Sequence, residues 1–493
     1  MSTSNQVQSS SRASRIFPVL AVYVALLCVT PFLLELVGDT KAGLLLIVLI
    51  GLLMVPFAIS WLNNEIEIFE PTLFTCVIFI LAYPAQVIYV LSVPEHDIPT
   101  KTQYWENLPL LTDGLWCCVL GVLSYLIAYY CAPRGIDRLG RGLSFEGDVE
   151  GWESKIIVVF LIGWAFRSYM MATGNFGTYY KWSNVDPMTI GFLAIFAKLI
   201  WLAYIMVWIN WFRGRRTTMA LLLLVGMTAL EGGYHLLLSG SKTFLSHMML
   251  FPMMAYSLSR KKFPLWQVFG FFFVLTFFVF PFVGAYRTLH TTGSAEGGQL
   301  VEQMDVAKQA VRSSLDPSGT RLPGVDQPVT AEGEMMLGRF QGFESLAFII
   351  ENVPAYADYV YGRDLILVPL AIIPRFLVPW KPSLKASKVF SGDLWGGGSS
   401  VSPYPIGEGY LNFGWMGVVL LMASLGVLQR WIYKGFYQPR IQQPLAIAFY
   451  CYLFFSVTNF DSWLISGYIG TLQMIAVLVL IHFILFRRPG TPS

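Results

Sequence analysis

One stretch of the chain gathers three residues able to bind or relay charge: Glu231, His235 and Lys242, in Glu231-Gly-Gly-Tyr-His-Leu-Leu-Leu-Ser-Gly-Ser-Lys242. Their offsets of 0, 4 and 11 fall within about 40° on a helical wheel. A helix carried through Gly240 therefore places all three on one face. A carboxylate, an imidazole and an ammonium aligned in this way can hold an anion or pass a proton. The plainer alternative is a buried Glu–His pair with a snorkelling lysine. Glu-x-x-x-His lacks the second histidine of a helical zinc site, so no metal is expected. Arg167 and Lys198 stand in neighbouring apolar stretches, where each serves equally well as an interhelical hydrogen-bond donor.

Further along, one long connection concentrates cations: Arg287, His290, Arg339, Arg363, Arg375, Lys381, Lys385 and Lys388, with Glu344 among them. Solvated surface accounts for many of these. Arg339, Arg375 and Lys381 flank apolar anchors and fit that account less well. Guanidinium groups suit bidentate contact with phosphate, so an anionic ligand is expected. Trp395-Gly-Gly-Gly-Ser-Ser follows and reads as a hinge before it reads as a phosphate loop. In Ile406-Gly-Glu408-Gly-Tyr410-Leu-Asn-Phe-Gly414 a carboxylate stands immediately before an apolar run. Glu408 there either complements a helix dipole or acts as a general base, with Tyr410 as a supporting residue.

The elements that must hold these residues follow from composition. The 493 residues are 55% hydrophobic and 13% charged, where soluble domains average about 25% charged. The apolar residues come in blocks of about twenty, the length that crosses a hydrocarbon core. An all-α integral membrane protein is expected, with about twelve transmembrane helices: Ile16–Val37, Ala42–Trp61, Pro71–Val93, Pro109–Cys131, Lys155–Met171, Met188–Phe212, Thr217–Gly240, Thr243–Ser259, Leu265–Tyr286, Gly409–Lys434, Pro444–Phe460 and Ser466–Phe486. The first is read as a retained helix, being too long for a cleavable signal core. The six cysteines lie in or beside apolar blocks without metal or disulfide spacing, and a net charge of +3 gives no reason to expect nucleic acid.

Positive residues favour the cytoplasmic side. With the N-terminus inside, seventeen Lys and Arg fall on inside segments and four (Lys41, Lys101, Lys181, Lys242) on short outside loops. Both termini are then cytoplasmic. The expected organisation is a cytoplasmic tail over 1–15, nine spans over 16–286, an outer (periplasmic) loop over 287–408, three spans over 409–486 and a tail over 487–493. Within the loop, Leu300, Met304, Ala307 and Val311 mark one amphipathic helix, and Met336, Phe340, Phe343, Ala347 and Ile350 another. Leu365–Trp380 carries Pro369, Pro374, Arg375 and Pro379 and is read as re-entrant or interfacial.

Several of these segments resemble the Wzy-type O-antigen and exopolysaccharide repeat-unit polymerases, relatives of the O-antigen ligases. Ser239-Gly-Ser-Lys242 resembles that family's Gly/Ser-rich turn ending in a basic residue, usually Arg. Ile372-Ile-Pro-Arg375-Phe-Leu-Val-Pro-Trp380-Lys381-Pro382 resembles its Pro/Trp-rich outer segment, and Ile406–Gly414 the opening of its next helix. The resemblance implies a metal-independent glycosyltransferase without cofactor in a bacterial inner membrane. It would act on polyprenyl-diphosphate-linked oligosaccharides, with membrane lipids around it and a chain-length regulator left open as a partner. Glu408 is then the candidate base, and Lys242, Arg287, Arg339, Arg375 and Lys381 are candidate diphosphate ligands. Glu231, His235, Glu344 and Tyr410 would support them. A ligase-like enzyme and a twelve-helix secondary transporter are the competing expectations; the single dominant loop argues against the two equal halves usual in transporters.

Overall fold

Apolar blocks become helices here because helices satisfy every backbone polar group internally. In the computed structural model, the described residues are 23–25, 28–63, 67–92, 106–141, 151–172, 193–235, 242–260, 265–279, 282–283, 286, 308–309, 311, 341–365, 368, 373, 390, 402–458 and 463–486. Among them all regular structure is helical, and the protein is a membrane-embedded helical protein. The helices are α1 (Cys28–Val37), α2 (Thr40–Asn63), α3 (Pro71–Ala82), α4 (Pro84–Ser92), α5 (Leu108–Cys131), α6 (Arg134–Arg141), α7 (Trp152–Ala172), α8 (Leu199–Phe212), α9 (Thr218–Tyr234), α10 (Lys242–Arg260), α11 (Leu265–Val274), α12 (Gly342–Asn352), α13 (Tyr404–Arg430), α14 (Pro444–Thr458) and α15 (Leu464–Ile481).

Starts are set by local chemistry. Asn107 accepts the Leu110 amide at 3.3 Å ahead of Pro109, opening α5. Thr217 accepts the Ala220 amide at 3.0 Å, opening α9. Seven helices among the described residues are long and apolar enough to cross a membrane, and α1, α9 and α14 are shorter apolar helices. The expected first span is described only from Cys28, and most of Leu365–Trp380 lies outside the described residues.

Two cores divide the molecule. One joins α1–α5, α12, α13 as far as Leu425 and the start of α15. The other joins α7–α10, α14, the end of α15 and the π-helical turn Trp431–Tyr437. α5 and α13 form the most extensive helix pair.

Helix α13 opens at Tyr404, earlier than the expected Gly409, and breaks inside. Phe413 (φ −146°, ψ 26°) and Gly414 (φ +59°, ψ −141°) leave helical geometry, the second in a region that essentially only glycine occupies. The chain doubles back there. Gly409 and Gly417 meet backbone to backbone, so that a Cβ at Gly417 would collide with the Gly409 carbonyl. The carbonyls orphaned by the reversal are taken by another segment: Val360 N–H donates to Leu411 O and Tyr361 N–H to Asn412 O, both at 3.0 Å. Asn412 Oδ1 also accepts the Gly362 amide at 3.2 Å. Overpacking of this kind costs about 1–3 kcal/mol, so Gly417→Ala is expected to lower the melting temperature of the detergent-solubilised protein. Gly51→Ala, where a Cβ meets open space, is expected to leave it unchanged.

Helix α12 belongs to the long connection, yet it is inserted into the bundle. Phe343, Glu344, Ser345, Leu346, Ala347 and Ile349 are all buried. Its N-terminal amides need an acceptor in that setting, and Gln86 supplies one: its Oε1 accepts from Phe343 N at 2.9 Å and Glu344 N at 3.4 Å. The reading of this segment as an amphipathic helix is therefore incomplete, because it is covered on almost every side.

Candidate functional site

Four helices run in alternation, α7 to α10, and their adjoining ends collect ionisable side chains. Arg167, near the end of α7, pairs through Nη1 with Glu231 Oε1 on α9 at 2.5 Å. The other carboxylate oxygen faces His235 Nε2 at 3.3 Å, one turn on. Glu231 is wholly buried, and Arg167 and His235 are nearly so. The guanidinium lies over the Tyr234 ring, 4.6 Å from its centroid. On α10, His247 packs edge-on to Trp201 (5.1 Å between centroids) and close to Phe455 (4.4 Å). Lys198, at the mouth of α8, and His235 both lie within electrostatic reach of His247. Charges this deep persist only when paired, and inside a membrane protein they default to a functional hypothesis. The described members carry Arg167 and Lys198 against the single acid Glu231, an arrangement able to hold an anion.

Glu231 and His235 stand one turn apart on α9, as their spacing implies; the alignment of Lys242 with them is conditional on the helix running through Gly240. In the structure α9 closes with His235 as its C-cap, and Lys242 opens α10; residues 236–241 and the Lys242 side chain lie outside what is described. The Arg167–Glu231 pair and His247 were not foreseen as members of one site. A histidine in an apolar block, five residues after Lys242, was the available signal.

Glu408 occupies a second place. It sits inside the first segment of α13 rather than ahead of a helix, and is 1% exposed. Its Oε2 accepts the Leu464 amide, and its Oε1 accepts the Ile465 amide at 3.1 Å. These are first-turn amides of α15, whose own N-cap residue, Trp463, makes no side-chain cap. A carboxylate from one helix thus caps another, with the charge at the favourable end of its dipole. Buried Asp364 lies within electrostatic reach of Glu408. Tyr410 belongs to an aromatic group around the helix break, 6.2 Å from Tyr359 and 6.1 Å from Trp415 between ring centroids.

Glu344 is buried in the first turn of α12. Arg287, Arg339, Arg375 and Lys381 lie outside the described residues. The structure brings Arg167, Lys198, Glu231, His235 and His247 together around one core, and Glu408, Asp364 and Tyr410 around the other.

No curated protein and no solved structure matches the chain. Residues 169–435, more than half of it, match a family described as a domain of unknown function, DUF8712. The matched stretch holds Lys198, Glu231, His235, Lys242, His247, Glu344 and Glu408; it begins two residues after Arg167 and stops before α14 and α15. The chain belongs to the DUF8712 family.

Proposed function

We propose that the protein polymerises lipid-linked glycan repeat units. It would transfer a growing glycan from polyprenyl diphosphate to a sugar hydroxyl of the next lipid-linked unit, at the outer face of a bacterial inner membrane. Twelve spans, cytoplasmic termini and an outer loop over 287–408 are parts of this reading. The observation that carries it is the buried cluster of Arg167, Lys198, Glu231, His235 and His247 at the shared ends of α7–α10, with one cation in excess of its acid, a place suited to a headgroup that arrives within the membrane. The short motifs of the second half of the chain support it. The chemistry needs cations to stabilise the departing diphosphate and a base to take the acceptor proton. Lys198, Lys242 and the loop cations Arg287, Arg339, Arg375 and Lys381 are assigned to the first task beside Arg167. Glu408 has both oxygens engaged by backbone amides, so the base is assigned to the loop carboxylates Glu344 or Asp364.

Deleting the gene and resolving surface glycan on a gel tests this. Loss of the polymer ladder with single-repeat material remaining is the expected result. Loss of all glycan from its lipid anchor would indicate a ligase-like transferase instead. An unchanged ladder overturns both. A second reading, a secondary transporter, is favoured by the broken helix α13, since discontinuous helices line transport sites. Ion-driven solute uptake by proteoliposomes, with the ladder intact in the deletion strain, would establish it.

A further inference from the structure

Helix α6 leaves the end of α5 after two residues and carries three arginines with one acid, in Arg134-Gly-Ile-Asp-Arg-Leu-Gly-Arg141. The acid is committed. Asp137 Oδ1 accepts from Arg430 Nε and Oδ2 from Arg430 Nη2, each at 2.9 Å. Arg430 Nη1 also donates to the carbonyls of Tyr129 at 2.8 Å and Tyr130 at 3.0 Å, at the end of α5. This bidentate clamp fixes α6 against the turn Trp431–Tyr437, with which it packs. Arg134 and Arg138 are exposed and, four residues apart on a helix, share a face. Lys434 belongs to the turn on which α6 packs, its ammonium 5.4 Å from the Tyr129 ring centroid and 5.6 Å from that of Tyr130.

Arg134 and Arg138 of α6 and Lys434 of the turn packed on it thus add three cations to a junction whose Asp137 is already spent on Arg430. They sit just past the end of the apolar helix α5, where the hydrocarbon gives way to headgroups, and Tyr130 supplies the aromatic ring usual at that boundary. We infer that α6 and the Trp431–Tyr437 turn form a binding site for anionic phospholipid headgroups. The lipid phosphate bridges Arg134, Arg138 and Lys434, and its acyl chains lie along α5. The bound lipid braces the α5–α13 pair from its charged end. This inference stands apart from the proposed glycan chemistry, since it concerns the end of the bundle that the basic bias assigns to the cytoplasm.

Native mass spectrometry of the full chain, released from detergent after equilibration with equal amounts of phosphatidylglycerol and phosphatidylcholine, tests it. Preferential retention of phosphatidylglycerol is expected. Arg134→Gln with Arg138→Gln should reduce that retention, by about five-fold for each cation removed. Lys434→Gln, made separately, should reduce it by one such step, and Arg216→Gln, on another loop, should not. Equal retention of both lipids, or retention unchanged in the double variant and in Lys434→Gln, overturns the site. So does loss of the preference to inorganic phosphate alone, which would mark a free-anion site, or capture of an acidic protein in place of lipid.

Discussion

Glu231→Ala is expected to remove most of the folded protein. The substitution leaves Arg167, 6% exposed, without the carboxylate that its Nη1 meets at 2.5 Å, and it removes the partner of His235. Breaking one side of a buried ion pair costs about 3–5 kcal/mol, against a total stability of roughly 5–15 kcal/mol for a folded domain. Yield and melting temperature in detergent should both fall. The companion variant separates structure from function. Arg167→Met combined with Glu231→Leu removes both charges, and apolar replacement of a whole buried pair is often neutral or stabilising by about 1–4 kcal/mol. That double variant should fold, and because it deletes the centre of the proposed anion site it should make no polymer. If it folds and the ladder is normal, the pair is only a rivet between α7 and α9, and the proposed function loses the observation that carries it.

The helical class and the seven helices long and apolar enough to cross a membrane were legible because they depend on local hydropathy and on caps. The expected Ala42–Trp61 and Pro109–Cys131 lie within Thr40–Asn63 and Leu108–Cys131, since apolar run length and the Asn107–Pro109 start are properties of the chain nearby. The clusters were legible only as ingredients. Arg167 and Glu231 lie 64 residues apart, and no periodicity states which of two antiparallel neighbours will supply a counter-ion. Glu408 illustrates the harder case. From sequence it stands before an apolar run, where a dipole partner or a base is equally natural, while its actual partners are amides 56 and 57 residues further on. The break at Phe413–Gly414 has a trace in the small residues Gly409, Gly414 and Gly417, a set equally natural where two helices pack closely. That they let one helix fold back on itself depends on Val360 and Tyr361 taking its last backbone carbonyls and Gly362 the Asn412 side-chain oxygen.

The same geometry changes what Glu408→Gln should do. Read from sequence as a general base, the substitution leaves protein level normal and abolishes polymer, by about 10²–10⁴-fold. In the structure each carboxylate oxygen accepts one amide from the first turn of α15. Glutamine offers one carbonyl oxygen and one NH₂ group, so one of the two amides would face another donor. Leaving a buried donor unsatisfied costs about 1–3 kcal/mol, and losing the negative charge at the helix N-terminus costs about 0.3–1 kcal/mol more. The expected result is therefore a lower melting temperature and a smaller folded yield, with polymer made per folded molecule close to wild type. Glu408→Ala, which removes both acceptors, should destabilise further. Glu344→Gln and Asp364→Asn, made in parallel, should show the opposite pattern for whichever residue is the base, with folded protein retained and polymer lost. If instead Glu408→Gln melts like wild type and loses polymer, then Glu408 is the base, and its grip on α15 only places it for that role.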